Sequence, residues 1–271
     1  MNKSASIASG TLMLYANCIL FPPKQWQDTV IICAVVISFA FILWLGYNIK
    51  FKLFMLPVFV LMIPFAAFEL SVLSSAATNF VADNPLVVLI TFGVSAAFLF
   101  YAGESAFQRL TQLLFWVVPI VLISSFLSPV QNKFAFMPES FDWNNIFLRC
   151  ALILPAVFSL ALITKRTGGT KNIFLLGVLA GAAAFAIQAV ALSLYGTTSI
   201  SDRHPLLSLA MRSPLPLEVL FIAVVAFTGV IRVSSILIAA SLPLPKVKGK
   251  NIYIISLFVL STAFLYLLYR S

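Results

Sequence analysis

The sequence predicts an all-α integral membrane protein with about nine transmembrane helices and almost no soluble mass. Three observations carry this. Hydrophobic residues make up 62% of the chain and charged residues 9%, whereas a water-soluble domain carries about 25% charged residues. Mean hydropathy is +1.07. Nine stretches are strongly apolar, and most reach the roughly 20 residues that a spanning helix needs. In lipid each backbone polar group must be satisfied within its own segment, so these stretches are helices.

One transmembrane domain covers residues 1–271, with spans at 4–21, 26–49, 51–73, 85–103, 111–128, 145–164, 172–195, 216–241 and 252–270. The first is a short membrane helix. A lone Lys3 precedes it, and Phe21-Pro22-Pro23-Lys24 lacks the small residues of a signal cleavage site. The third can run on toward Phe80, because Ser71 to Thr78 is small and helix-compatible. Between the fifth and sixth spans lies a loop at 129–144, and between the seventh and eighth one at 196–216. Both mix prolines and aromatics with polar residues, as interfacial pieces do.

The net charge of +9 does not point to nucleic acid. The basic residues sit at span ends and form no stripe or arm. Ten of them, from Lys3 to the Lys246-Val-Lys248-Gly-Lys250 loop, fall on one side and six on the other. The positive-inside rule then puts the N-terminus in the cytoplasm and the C-terminus outside. Cys18, Cys33 and Cys150 lie in or beside apolar segments without CxxC spacing, so free thiols are expected. With one histidine, His204, no metal site or cofactor is expected. Nor is an enzyme, because no nucleophile–base pair or phosphate loop is visible.

A charge at bilayer depth costs about 2.5–3.5 kcal/mol on insertion scales, so each one is informative. Glu69 lies deep in the third span. It is either a proton-coupling or substrate-amine site, or a carboxylate hydrogen-bonded to a neighbouring helix. Arg232, inside the eighth span, is expected to be paired or to snorkel inward. Glu218 opens that span. Glu104 and Arg109, at the mouth between the fourth and fifth spans, read as a solvated or loop-fixing pair. Pro57, Pro64, Pro119 and Pro155 lie within spans. A proline removes an intrahelical hydrogen bond, and broken helices expose backbone groups that can hold charged ligands.

Several stretches resemble the B subunit of spore germinant receptors, in the amino acid–polyamine–organocation superfamily. They are Gly10 through Pro22 with Gln27-Asp28, then Asn84-Pro85-Leu-Val-Val-Leu-Ile, then Gly103-Glu104-x-Ala106-x-x-Arg109 with Pro119 and Pro138, and finally Pro205 through Arg212. The resemblance implies a LeuT-like inverted-repeat fold of five plus five helices, here lacking the last helix. It implies a small nutrient such as an amino acid bound where helices one and six unwind, at Gly10, Thr11, Tyr15, Pro155, Phe158 and Ser159. It also implies partner subunits, one a large membrane protein and one a lipoprotein, in the cell or inner spore membrane. Three functions stand open: a nutrient-sensing receptor subunit, a proton-coupled amino acid permease using Glu69, and a structural membrane subunit without a ligand site.

Overall fold

The computed structural model describes residues 55–78, 84–125, 217–242 and 249–270, with isolated positions at 34, 37, 144, 155, 158, 159, 162, 163 and 244. Every regular element among them is an α-helix. They are α1 (Met55–Thr78), α2 (Pro85–Ala102), α3 (Glu104–Ser125), α4 (Leu217–Ser241) and α5 (Lys250–Arg270). Three are long and apolar enough to cross a membrane, over Pro85–Ala102, Val219–Ser241 and Lys250–Leu268. The chain is therefore membrane-embedded. The expected spans at 4–21, 26–49, 145–164 and 172–195, and the loops at 129–144 and 196–216, lie outside the described residues apart from isolated positions.

The ends of α2, α4 and α5 fall within two residues of the sequence expectation; α1 and α3 differ from theirs. The helix α1 continues to Thr78, where the Ser71 and Thr78 hydroxyls donate to the carbonyls of Phe68 and Ser75. It also runs unbroken past Pro57 and Pro64. Pro57 sits in the first turn, where an N–H has no intrahelical partner in any case. The expected loop at 104–110 is helical, being the start of α3. Gly103 alone makes the break. Its φ of 89° is readily adopted by glycine, and Glu104 opens the next helix with a negative charge where the dipole favours one. At the other end of α2, the Asn84 side chain accepts from the Leu86 N–H at 3.0 Å, and Pro85 occupies the first turn.

The core is organised around α4. Every residue from Thr228 to Ala240 in α4 is buried, and α4 packs on α1, α2, α3 and α5. Specific contacts set the directions. Glu69 on α1 meets Arg232 on α4, and one turn further along α1, Leu73 lies against Gly229. Rising numbers meet falling ones, so α1 and α4 are antiparallel. Leu70 lies beside Gly93, and the Ser74 hydroxyl donates to the Pro85 carbonyl at 3.0 Å. The helices α1 and α2 are therefore antiparallel too.

A few residues of the helix pairs α1–α2 and α4–α5 recur at nearly constant separations. A shift of 163 residues, the separation of Glu69 from Arg232, carries Thr78 at the end of α1 onto Ser241 at the end of α4. It matches Ser71 with Ser234, Ala76 with Ala239 and Ala77 with Ala240, and pairs Ala66 with Gly229. A shift of 165 residues, from Pro85 to Lys250, matches Ile90 with Ile255, Val94 with Val259 and Tyr101 with Tyr266. Packing follows the same exchange, with α2 against α4 and α5 against α1.

Candidate functional site: a buried ion pair between α1 and α4

The charges expected to be costly are joined. Arg232 Nη2 donates to Glu69 Oε1, and the two side chains are 0% and 2% exposed. Each sits past the middle of its helix. An unpaired charge there would have no solvent to replace its hydration. Pairing leaves a net charge of zero, and the guanidinium is protonated at any physiological pH.

A close contact one turn away helps position the pair. Gly229 lies one turn before Arg232, and a Cβ built on it would stand 2.5 Å from Leu73 Cδ1 and 2.6 Å from Leu73 Cδ2. A larger residue at 229 would have to displace the Leu73 side chain. Small residues serve membrane helix contacts in this way.

Hydroxyls line the buried stretch of α4. Thr228 donates to the Val224 carbonyl at 2.7 Å, and Ser235 to the carbonyl of Arg232 itself at 2.6 Å. Ser234 has two acceptors in reach for its one proton, Val230 O at 2.7 Å and Ala96 O of α2 at 3.0 Å. Each hydroxyl is satisfied without solvent, which hydrocarbon requires. The arrangement does two things chemically. It ties α1 to α4, and it stores one fixed positive and one negative group away from water.

Of the residues singled out in the sequence, the structure brings together Glu69 and Arg232. Pro155, Phe158 and Ser159 are helical, and the Ser159 hydroxyl donates within the helix to the Pro155 carbonyl at 2.7 Å. With Leu162 and Ile163 they recur at i, i+3, i+4, i+7 and i+8, one helical face. Ser159 is fully buried, and Phe158, Leu162 and Ile163 belong to or pack on the same core as α1 and α4. Glu104 is half-buried in the first turn of α3 and Arg109 is exposed; five residues on a helix turn them about 140° apart. Glu218 is the second residue of α4. Gly10, Thr11 and Tyr15 lie outside the described residues. Gly229, Leu73 and Ser234 are not among the residues the sequence singles out. The preference of membrane helix contacts for small residues is the signal that would point to Gly229.

No family model matches the chain, and no curated protein matches its sequence.

Proposed function

We propose that this chain is the ligand-sensing membrane subunit of a small-nutrient receptor of the spore-germinant type, built as a LeuT-like inverted repeat of about nine helices. One observation supports the reading beyond the motif series: α1 crosses α4 antiparallel, joined by the buried Glu69–Arg232 pair, as an inverted arrangement of the third and eighth spans requires. Inverted-topology repeats are a hallmark of secondary-transporter architectures, which hold small solutes at the repeat interface. The expected order supports it. An antiparallel crossing of the third and eighth spans requires an even number of crossings between them. The helices α2 and α3 supply two, and the spans expected at 145–164 and 172–195 supply two more. The nutrient, an amino acid or similar small solute, would be held at Gly10, Thr11, Tyr15, Pro155, Phe158 and Ser159.

The pairing of Glu69 favours a sensor over a proton-coupled permease. A coupling carboxylate must change partners in each cycle, whereas Glu69 is fastened to a permanent cation and closes the α1–α4 contact. The N-terminus is cytoplasmic, and a large membrane subunit and a lipoprotein are the expected partners.

The test is co-purification from native membranes in mild detergent, followed by calorimetric titration of the recovered complex with amino acids, sugars and nucleosides. The reading expects both partner subunits and saturable heat from at least one nutrient. Recovery of this chain alone, with amino acid uptake in proteoliposomes that Glu69→Gln abolishes, would replace it by the permease.

A further inference from the structure

We propose that the end of the bundle holding the α4–α5 turn is a docking surface for the headgroups of anionic phospholipids, with Lys246, Lys248 and Lys250 as its contacts. The inference rests on helix directions and charge, and it holds whether the chain senses, transports or only assembles.

Helix directions collect the chain ends. With α1 antiparallel to both α2 and α4, the helices α2 and α4 run the same way. The Ser234 hydroxyl lies in reach of the Ala96 carbonyl, which puts those two residues level. Ala102 ends α2 six residues beyond Ala96, and Ser241 ends α4 seven beyond Ser234. At 1.5 Å per residue these are about 9 and 10 Å, so both helices stop at one level. Met55, the first residue of α1, belongs to the same end, because α1 runs against them. The start of α5 joins it too. The Leu244 N–H donates to the Ser241 carbonyl at 3.3 Å, and the Lys250 ammonium donates to the Leu244 carbonyl at 3.3 Å.

Positive charge gathers with the ends. Lys246 and Lys248 stand in the chain between Leu244 and Gly249, and Lys50 and Lys52 stand just before α1. Arg109 is exposed one to two turns into α3, and such a side chain can snorkel toward a helix end. Residues 29–68 and 219–271 contain no acid, and Glu104 is the one carboxylate at the α2–α3 junction. At the opposite end Asn84 caps α2 and Glu218 opens α4. Topology needs only an excess of basic residues on one side. Their convergence on one turn, from segments nearly the whole chain apart, is what makes a surface.

Two tyrosines identify what that surface meets. Tyr101 is 62% exposed and Tyr253 59%. Tyr101 is one residue from the end of α2, and Tyr253 is one turn from Lys250 on the same face of α5. Tyrosines beside an apolar span sit at the headgroup level of a bilayer, so the neighbouring cations meet lipid phosphate. Each basic residue just outside a span attracts anionic lipid by about 1 kcal/mol, or about fivefold in affinity.

The experiment uses the full chain in nanodiscs of phosphatidylcholine mixed with phosphatidylglycerol of matched acyl chains. Lipid that stays with the protein on release into mild detergent is identified by native mass spectrometry. The original chain retains phosphatidylglycerol over phosphatidylcholine by at least about tenfold, and raised salt lowers the preference by screening. K246Q and K248Q each lower it several-fold, and K246Q/K248Q/K250Q brings it to parity. K246R/K248R/K250R, which keeps the charge, keeps the preference. R270Q, at the far end of α5, leaves it unchanged. Equal retention of the two lipids by the original chain would overturn the proposal. So would a preference that survives K246Q and K248Q, or one that R270Q lowers as much, since either places the lipid elsewhere on the protein.

Discussion

Replacing Gly229 by alanine tests the α1–α4 contact at its tightest point. The new methyl would lie 2.5 and 2.6 Å from the Leu73 methyls and 3.0 Å from Leu73 Cγ, where carbon atoms prefer about 3.5–4.0 Å. Leu73 is 0% exposed, so its side chain must rearrange against buried neighbours, and overpacking of this kind costs about 1–3 kcal/mol. Arg232 is three residues on, about 4.5 Å along the axis, close enough for the rearrangement to reach the ion pair. Leu73→Ala alone leaves a cavity and costs about 2–5 kcal/mol. In the double variant the methyl introduced by Gly229→Ala enters that cavity, and the two costs should fall short of additivity by about 1–2 kcal/mol. Reversible unfolding in mixed micelles, read by helical circular dichroism, measures all four chains. Strict additivity, or a Gly229→Ala chain as stable as the original, would refute the close approach and with it the register of the whole bundle.

Removing one partner of the ion pair, by Glu69→Gln or Arg232→Gln, should destabilise the protein by about 3–5 kcal/mol, whereas removing both should be nearly neutral; the same unfolding assay decides. Ser234→Ala should cost about 0.6 kcal/mol, the average for an interhelical hydrogen bond in a membrane, and a loss above about 2 kcal/mol, beyond the range of such bonds, would show that its bond to Ala96 O does more than link two helices. Asn84→Ala removes the cap of α2 and should cost about 1 kcal/mol, with Asn84→Asp retaining most of it. Gly103→Ala places a side chain at φ 89° and ψ −179°, an essentially glycine-only conformation, and should cost about 1–3 kcal/mol, although no neighbouring atom lies within 4 Å of its Cβ position; hydrogen exchange at the start of α3 should accelerate with it.

Much of this is legible in the sequence, and the reasons differ by element. Hydropathy alone locates α2, α4 and α5, because a lipid-facing helix must be apolar over its length. It misplaces the start of α3. Glu104 and Arg109 make residues 104–110 look like a loop, yet a helix that emerges from the bilayer can carry charge along its exposed turns, and a single glycine is enough to end α2. The continuous α1 is obscured by Pro57 and Pro64, which read as interruptions although helix context absorbs both. At the site, each charge has a visible cost but no visible partner. Nothing local connects Glu69 with Arg232 across 163 residues. Hydropathy cannot supply the link, because one apolar helix resembles any other.

The ion pair is an expensive feature in a bundle that could be held by packing alone. Apolar residues at 69 and 232 would avoid the cost of about 2.5–3.5 kcal/mol that each charge carries on insertion, and a buried pair is weak as a source of stability. What the pair adds is direction. A packed contact such as Leu73 on Gly229 tolerates small slips, whereas two opposite charges in hydrocarbon are matched only when α1 and α4 meet at residues 69 and 232. The stability forgone at the pair is thus exchanged for one register of α1 on α4.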